Sequence, residues 1–570
     1  MRRPLTAFDR AAALDRLAGE SFDVLVVGGG ITGAGVALEA AAHGLRTAVV
    51  ERLDFASGTS SRSSKMVHGG LRYLQQRELA LVHENLVERH RLLHNAPHLV
   101  EPLPFLIPLF GKGGVVDQTV VRAYSVALWI YDFSGGWRIG HRHEKVSARE
   151  VCRHLPSVAP ERVVAGLLYY DARADDARLT LSVLRTAVLD HGAVALNYAP
   201  VTALLRDEAG RVAGAQVATG TGPLDVRASV VVNAGGVWAD EVRALEDGVH
   251  PHSLRPAKGV HLTVRGEALP CDIAATVPVR GDHRLLFIVP WGDHTYVGTT
   301  DTAYEGPLDD PPVLEEDVDY ILGAVNAVVS RPLTRSDVTG AWAGLRPLLA
   351  TGADGHRVVS ERTADLSRRH RVLVSRGGLV TITGGKLTTY RKMAEDTMAE
   401  VGRSLGRRLG PSPTRRLKLR GSEGLSALRR PGAGAAFGVD DAVLGHLVSR
   451  FGGETPAVLG LAAARPDLLE PLVPGLPYLR VEAVYAARYE MADRLEDVLS
   501  RRTRAALLDA PAARTAAGDV AALVGGELDW SAERIAEEVA GFERNIDGEL
   551  APGLGGGSGH SGGGAETRAP

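Results

Sequence analysis

The sequence predicts an α/β protein built from two interwoven domains, followed by an all-α domain. Three observations carry this. A strand, a glycine turn, a helix and a second strand open the chain within about thirty residues. Further strand-and-glycine elements recur far downstream, separated by strand-rich stretches. Beyond residue 422, apolar residues recur at helical spacing. A length of 570 residues suits two to four domains. With 45% hydrophobic and 23% charged residues the chain can build cores, and its net charge of -3 gives no general pull toward nucleic acid. Two distant cysteines, Cys152 and Cys271, exclude a disulfide framework, a CxxC pair and a Cys-rich zinc site, which favours a reducing, intracellular compartment.

The first strand, Asp23–Val27, is a short apolar run of the kind buried in a parallel sheet. Gly28, Gly30 and Gly33 follow, then an Ala-rich helix over Thr32–His43 with Gly44 as its stop, then a strand over Leu45–Val50 ending at Glu51. Val230–Val232 leads into NAGGVW, another strand and glycine turn, and residues 284–300 read as paired antiparallel strands around a Gly-Asp turn. Ser375–Arg391 is strand, turn and helix. Residues 403–422 read as a basic, Gly/Pro-containing linker. Val484, Ala487, Met491, Leu495 and Val498 predict one helix, and Ile535, Val539 and Phe542 another. The Gly/Ser-rich end, 551–570, is expected to be disordered. The first twenty residues hold no continuous apolar core, so no secretory signal is expected. Leu103–Phe110 is broken by Pro104 and Pro108, and Val121–Tyr131 carries Arg122. Neither reaches the ~18–20 apolar residues of a spanning helix.

Gly28, Gly30 and Gly33 form G-x-G-x-x-G in the context that makes it specific. The first permits a tight turn, the second close approach to a pyrophosphate, and the third tight helix-on-strand packing. Amide N–H groups at the helix start then face the anion. Glu51 stands where a carboxylate accepts from ribose hydroxyls, and its charge disfavours a 2′-phosphate. Three further segments favour FAD over a dissociable NAD. These are the hydroxyl-rich loop Gly58–His68, the NAGG turn, and Gly384–Gly385–Lys386 at a helix start, whose dipole suits negative charge on a reduced flavin.

TSSRSSKMVHGGLRYL (59–74), YYDARADDARLTL (169–181), VVNAGGVWAD (231–240), VGTTD (297–301), WAGLRPL (342–348) and TGGKLTTYRKMAE (383–395) closely resemble the FAD-dependent, respiratory glycerol-3-phosphate dehydrogenase family. The resemblance runs from about residue 20 to 400 and continues less sharply to EDVLSRRTRAALLD (496–509). It implies a Rossmann-like FAD-binding domain (20–100, 158–255 and 340–400) interleaved with a mixed-sheet substrate cap (101–157 and 256–339). A 401–422 linker and a helical C-terminal domain (423–548) follow. It also implies oxidation of sn-glycerol 3-phosphate to dihydroxyacetone phosphate, with hydride passing to flavin N5 and electrons to a quinone. The enzyme would be cytoplasmic and peripheral on the inner membrane face, with 403–420 and 103–110 as candidate contact surfaces. The C-terminal domain is a candidate surface for homodimer formation or partner docking. No EF-hand calcium loop occurs.

By the same resemblance Arg72, Tyr73, Arg346 and Lys386 are substrate-site residues. Gly28, Gly30, Ile31, Thr32, Gly33, Glu51, Thr59, Ser60, Ser63, Ser64, Lys65, His68, Ala234, Gly235, Gly385, Lys386, Leu387 and Thr388 would hold FAD. Arginine's fork and lysine's point charge suit a phosphate. Only seven of the 65 basic residues are lysines, which draws attention to Lys65, Lys258 and Lys386. Arg346 and Lys386 are candidates for the chemistry, and His68 or His261 for the proton acceptor, since arginine is a poor base. His68 is preferred. Thr299, Thr300 and Asp301 are left off the catalytic list. The competing readings are a glycerol-3-phosphate oxidase using oxygen, an FAD amine or amino-acid oxidase with one arginine on a carboxylate, and a structural flavoprotein without turnover.

Overall fold

Phe22–Val27 is buried along its whole length and pairs in parallel with Thr47–Val50 on one side and Gly222–Asn233 on the other. In the computed structural model, which describes residues 8–71, 73, 78–111, 118–279, 285–350 and 369–554, it lies inside an eight-stranded sheet. The order across that sheet is Arg371–Val374, Val380–Thr383, Gly222–Asn233, Phe22–Val27, Thr47–Val50, Val194–Leu196. Val201–Arg206 and Val212–Thr219 extend the long Gly222–Asn233 strand antiparallel. Helix Ile31–Ala42 is apolar on nearly every face, and a helix of that kind must be covered all round. Asp176–His191 and Tyr390–Ser404 cover it.

The cap is a ten-stranded mixed sheet, and besides the short Met66–Val67 strand two long ones come from stretches expected in the FAD domain. Val163–Ala174 pairs along Val100–Phe110, and Val338–Leu349 pairs along Leu254–Arg265. Both are twelve residues long, and a strand's own pattern does not say which of two sheets it joins. Leu285–Trp291 and His294–Gly298 form the hairpin expected within 284–300. The Pro-broken run 103–110 is a largely buried strand of this sheet, not a membrane-facing loop. Its parallel partner meets it only at Phe105 and Leu106, so Pro104 and Pro108 owe no N–H to that flank.

The 401–422 stretch does not hang free. Ser412 and Thr414 both donate to buried Glu39, and Arg420 pairs with Asp190 and Glu454. Arg407 and Arg415 likewise pair with Asp23 and Glu395, so the stretch lies along the FAD domain instead of spanning a gap. Beyond it the chain is helical, around a core that includes Leu447, Val484, Leu495 and Phe542. The single helix expected over Val484–Val498 is two elements. Arg480–Tyr489 ends before Met491, whose φ is 54°, and a π-helical turn, Asp497–Arg502, follows. The last helix, Ala532–Leu554, carries Ile535, Val539 and Phe542 and takes up residues 551–554 of the expected tail. The rest of the tail lies outside the described residues.

Candidate active site

The fingerprint turn is built as its glycines require. Gly28 has φ 113° and donates its N–H to Val50 O at 2.8 Å. A Cβ there would stand 2.6 Å from Ala234 O, so the Gly28 and Ala234 backbones close on one another as one wall. A Cβ on Gly33 would run into Gly28 O, which is the helix-on-strand contact expected of the third glycine. Gly30 caps the helix in extended conformation, and Ile31 N–H donates to Ser60 Oγ at 2.9 Å, so the hydroxyl loop closes over the helix start. Glu51 accepts from Gly29 N–H at 2.6 Å and Leu53 N–H at 3.0 Å. Burial nevertheless pushes its carboxyl above the usual range, against the pull of those two N–H groups.

One cavity gathers most of the expected cofactor residues. Gly28, Gly30, Ile31, Thr32, Glu51, Thr59, Ser60, Ser63, Ala234, Gly235, Gly385, Lys386 and Leu387 line it. Arg52 and Trp238 also line it and were missed. Arg52 lies 4.4 Å from the Trp238 ring, and both reach Asp309. Their signal was positional: Arg52 follows Glu51, and Trp238 closes NAGGVW.

Gly33, Ser64, Lys65, His68 and Thr388 do not line the cavity. Gly33 packs beneath the turn. Lys65 is buried on Asp176 (3.3 Å), Ser61 O (3.1 Å) and the Trp342 ring (4.6 Å), and burial, then Arg504, brings its ammonium down to about 8. Lys258, the second scarce lysine, is likewise buried, on Asp317 at 2.6 Å. Scarcity therefore pointed to the cavity at Lys386 only. Ser64 Oγ meets His261 Nε2 at 2.8 Å. Arg72 lies outside the described residues.

At the Lys386 end, two motifs meet. Lys386 Nζ stands 3.8 Å from the Tyr73 ring centroid, and His68 N–H donates to Thr388 Oγ1 at 3.2 Å. The HGG segment is held from behind: Gly69 N–H donates to the Tyr131 hydroxyl (2.9 Å) and Asp171 (3.2 Å), and Asn85 donates to Gly69 O (2.8 Å). Burial raises the Asp171 carboxyl despite Arg89 beside it. Arg346 Nη1 and Nη2 reach Thr299 Oγ1, Thr300 O, Lys258 O and Asp301 at 3.1–3.3 Å. The VGTTD residues left off the catalytic list therefore hold Arg346. His261 is 2% exposed, stacks on Trp342 at 4.8 Å, and is held neutral by burial, then by Lys65 and Arg346.

Residues 23–391 match the family described as FAD dependent oxidoreductase, and residues 412–535 the C-terminal domain of alpha-glycerophosphate oxidase. Glycerol-3-phosphate dehydrogenase 2 of Mycobacterium bovis is 42% identical over 547 residues, covering 95% of this chain and 91% of that protein. The chain belongs to the FAD-dependent glycerol-3-phosphate dehydrogenase family. Within the family, the mouse mitochondrial glycerol-3-phosphate dehydrogenase is 38% identical, over 91% of this chain and 72% of its own. The glycerol-3-phosphate dehydrogenase of Bacillus halodurans, solved complexed with FAD, superposes with a TM-score of 0.75 at 30% identity, covering 95% and 98% of the two chains. The family's two-part organisation, a sheet-built oxidoreductase and a helical C-terminal domain, is the fold described above.

Proposed function

We propose that the protein oxidises sn-glycerol 3-phosphate to dihydroxyacetone phosphate, using FAD and passing electrons to a quinone at a membrane surface. The observation that carries the chemistry is the meeting of Lys386 and Tyr73 at one end of a cavity lined elsewhere by glycine-turn backbone, hydroxyls and apolar side chains such as Ile31 and Val237. The residues fit FAD on this structure's own terms: a wall where a Cβ would collide, the helix start at Gly30, Ile31 and Thr32 lining the cavity, and Thr59, Ser60 and Ser63 facing the same space. When bound, FAD supplies the acceptor for hydride from substrate C2.

Lys386 and Arg346 give the substrate phosphate its positive partners, Lys386 as a point charge and Arg346 as a fork whose orientation Asp301 and Thr299 fix. His68 takes the hydroxyl proton on its imidazole. His261 is the poorer base, because gaining a charge at its buried position is disfavoured. Anaerobic mixing with glycerol 3-phosphate should bleach the flavin absorption, while D-amino acids should not. No bleaching with glycerol 3-phosphate would end this reading. His68→Ala should slow single-turnover flavin reduction much more than it weakens substrate binding; an unchanged reduction rate would remove it as the base.

The membrane contact is assigned to the helix Gln118–Phe133 of the cap. Val126, Trp129, Ile130 and Phe133 follow helical spacing and are exposed, Phe133 by 79%, with Trp137 just beyond. An exposed aromatic and aliphatic face suits the boundary between headgroups and acyl chains. No described helix is long and apolar enough to cross a membrane. Trp129→Ser with Phe133→Ser should abolish co-sedimentation with anionic lipid vesicles and slow reduction of a quinone analogue held in them. Flavin reduction by substrate should not change. Retained co-sedimentation would move the contact elsewhere.

A further inference from the structure

The C-terminal domain contributes three clustered arginines, Arg501, Arg502 and Arg504, that the chemistry above leaves unused. Arg504 is almost wholly buried. Its Nε and Nη2 donate to Asp175 Oδ1 at 3.1 and 2.6 Å, Nη2 also reaches Asp176, and Nη1 donates to Ser61 O at 3.2 Å. Asp176, fully buried, accepts in turn from Ser63 N–H at 3.0 Å, from the Ser63 hydroxyl at 2.6 Å and from Lys65 Nζ at 3.3 Å. Ser63 lines the cavity. Lys65 adopts φ 54°, a left-handed conformation costly for a side-chain-bearing residue, and closes back on Ser61 O. The hydroxyl loop 59–65 thus hangs from a carboxylate whose stronger cationic partner belongs to another domain.

Two carboxylates side by side in a dry site need their counter-charges in place. Arg450 approaches Asp175 at 3.5 Å, but for Asp176 the cations within reach are Arg504 and Lys65. Without Arg504, Asp176 would draw its compensation from Lys65 and Ser63, the residues that shape the loop.

We propose that Arg504 is a positioning residue for the cofactor: acting through Asp176, it holds the 59–65 loop in its cofactor-binding shape, so that the C-terminal domain completes a site it does not line. This rests on reading the cavity as the FAD site. The test measures FAD release from purified holoprotein by flavin fluorescence on dilution, together with the bound flavin's visible spectrum. Arg504→Met and Asp176→Asn should each weaken FAD binding about tenfold and alter the spectrum. The double variant should be no weaker than the worse single one, because both act on one link. Arg504→Lys, which cannot span Asp175, Asp176 and Ser61 O together, should restore part of the affinity. Glu454→Gln breaks pairs with Arg185 and Arg420 beside the C-terminal domain without touching the loop. It should leave FAD affinity within about twofold even where it lowers the melting temperature. Wild-type affinity and spectrum in Arg504→Met, additive effects in the double variant, or equal weakening by Glu454→Gln would each overturn the proposal. If Arg504→Met does not fold, Arg504→Lys is judged alone, and wild-type FAD affinity and spectrum there would overturn it as well. Wild-type protein that takes up no FAD would instead refute the cofactor reading itself.

Discussion

The nucleotide-facing wall and the face that docks the C-terminal domain bury polar groups in opposite ways. At the wall, apolar side chains such as Val27 and Val237 alternate with glycine-turn backbone at Gly28, and the polar groups are largely amides and hydroxyls set by neighbouring contacts such as Ile31 N–H on Ser60. At the docking face the groups are full charges: Asp54 between Arg501 and Arg502, Glu490 on Arg178, Asp175 and Asp176 on Arg504. Dipoles of the first kind are oriented by the fold alone, whereas charges of the second kind are tolerable only while every partner is present. The wall is therefore expected to govern ligand affinity with little effect on stability, and the docking face to govern stability, reaching the cofactor only where Arg504 and Asp176 hold the 59–65 loop.

The largest test of that contrast is Asp54→Asn. It leaves Arg501 and Arg502 short of a buried carboxylate and should lower the unfolding free energy by about 3–5 kcal/mol in urea titration. A loss below 1 kcal/mol would deny the docking face its role. Arg346→Met comes next: kcat/KM for glycerol 3-phosphate should fall on the order of 10²–10³-fold, read from anaerobic flavin reduction, with melting little changed. A near-normal value would take Arg346 out of the substrate site.

A smaller effect is the pH response of His98. Burial, assisted by Arg429 and Arg178 and opposed by Glu454, lowers its pKa from 6.5 to about 4. The unfolded chain binds a proton below pH 6.5 that the folded chain refuses until about pH 4. Stability therefore falls as pH drops through that window, by about 1 kcal/mol from pH 7 to pH 5.5. His98→Gln should flatten this slope by one proton; an unaltered slope would contradict the assignment. Smallest is Ser60→Ala at the wall, which should weaken FAD binding a few-fold, about 0.5–1 kcal/mol, without moving the urea midpoint. A shifted midpoint with normal FAD affinity would invert the comparison.

What could be read in advance follows the same division. The fingerprint, Glu51 and the Gly385–Lys386 turn were legible because each is local: the residues that make the geometry are neighbours in sequence. The docking face was not, since Asp54 and Arg502 are 448 positions apart and Arg504 and Asp176 are 328. The expectation that Val163–Ala174 and Val338–Leu349 belong to the FAD domain failed for a related reason, because a distant partner strand decides sheet membership and draws both into the cap. Lys65 is expected to hold FAD because it sits in the right loop. Only its left-handed backbone and buried acid reveal a structural ammonium.

The strand Val338–Leu349 has a mechanical consequence. Near one end Thr339 donates to Leu508 O of the C-terminal domain; in the middle Trp342 donates to Ser63 O; toward the other end Leu345 O accepts from Thr59, and Pro347 lines the cavity. Twelve extended residues reach roughly 40 Å, and the ladder to Leu254–Arg265 stiffens nearly all of them. Such a strut transmits displacement without bending. A C-terminal domain swinging outward would drag the cavity wall with it, so substrate and product must come and go through local side-chain and loop motion within a braced frame.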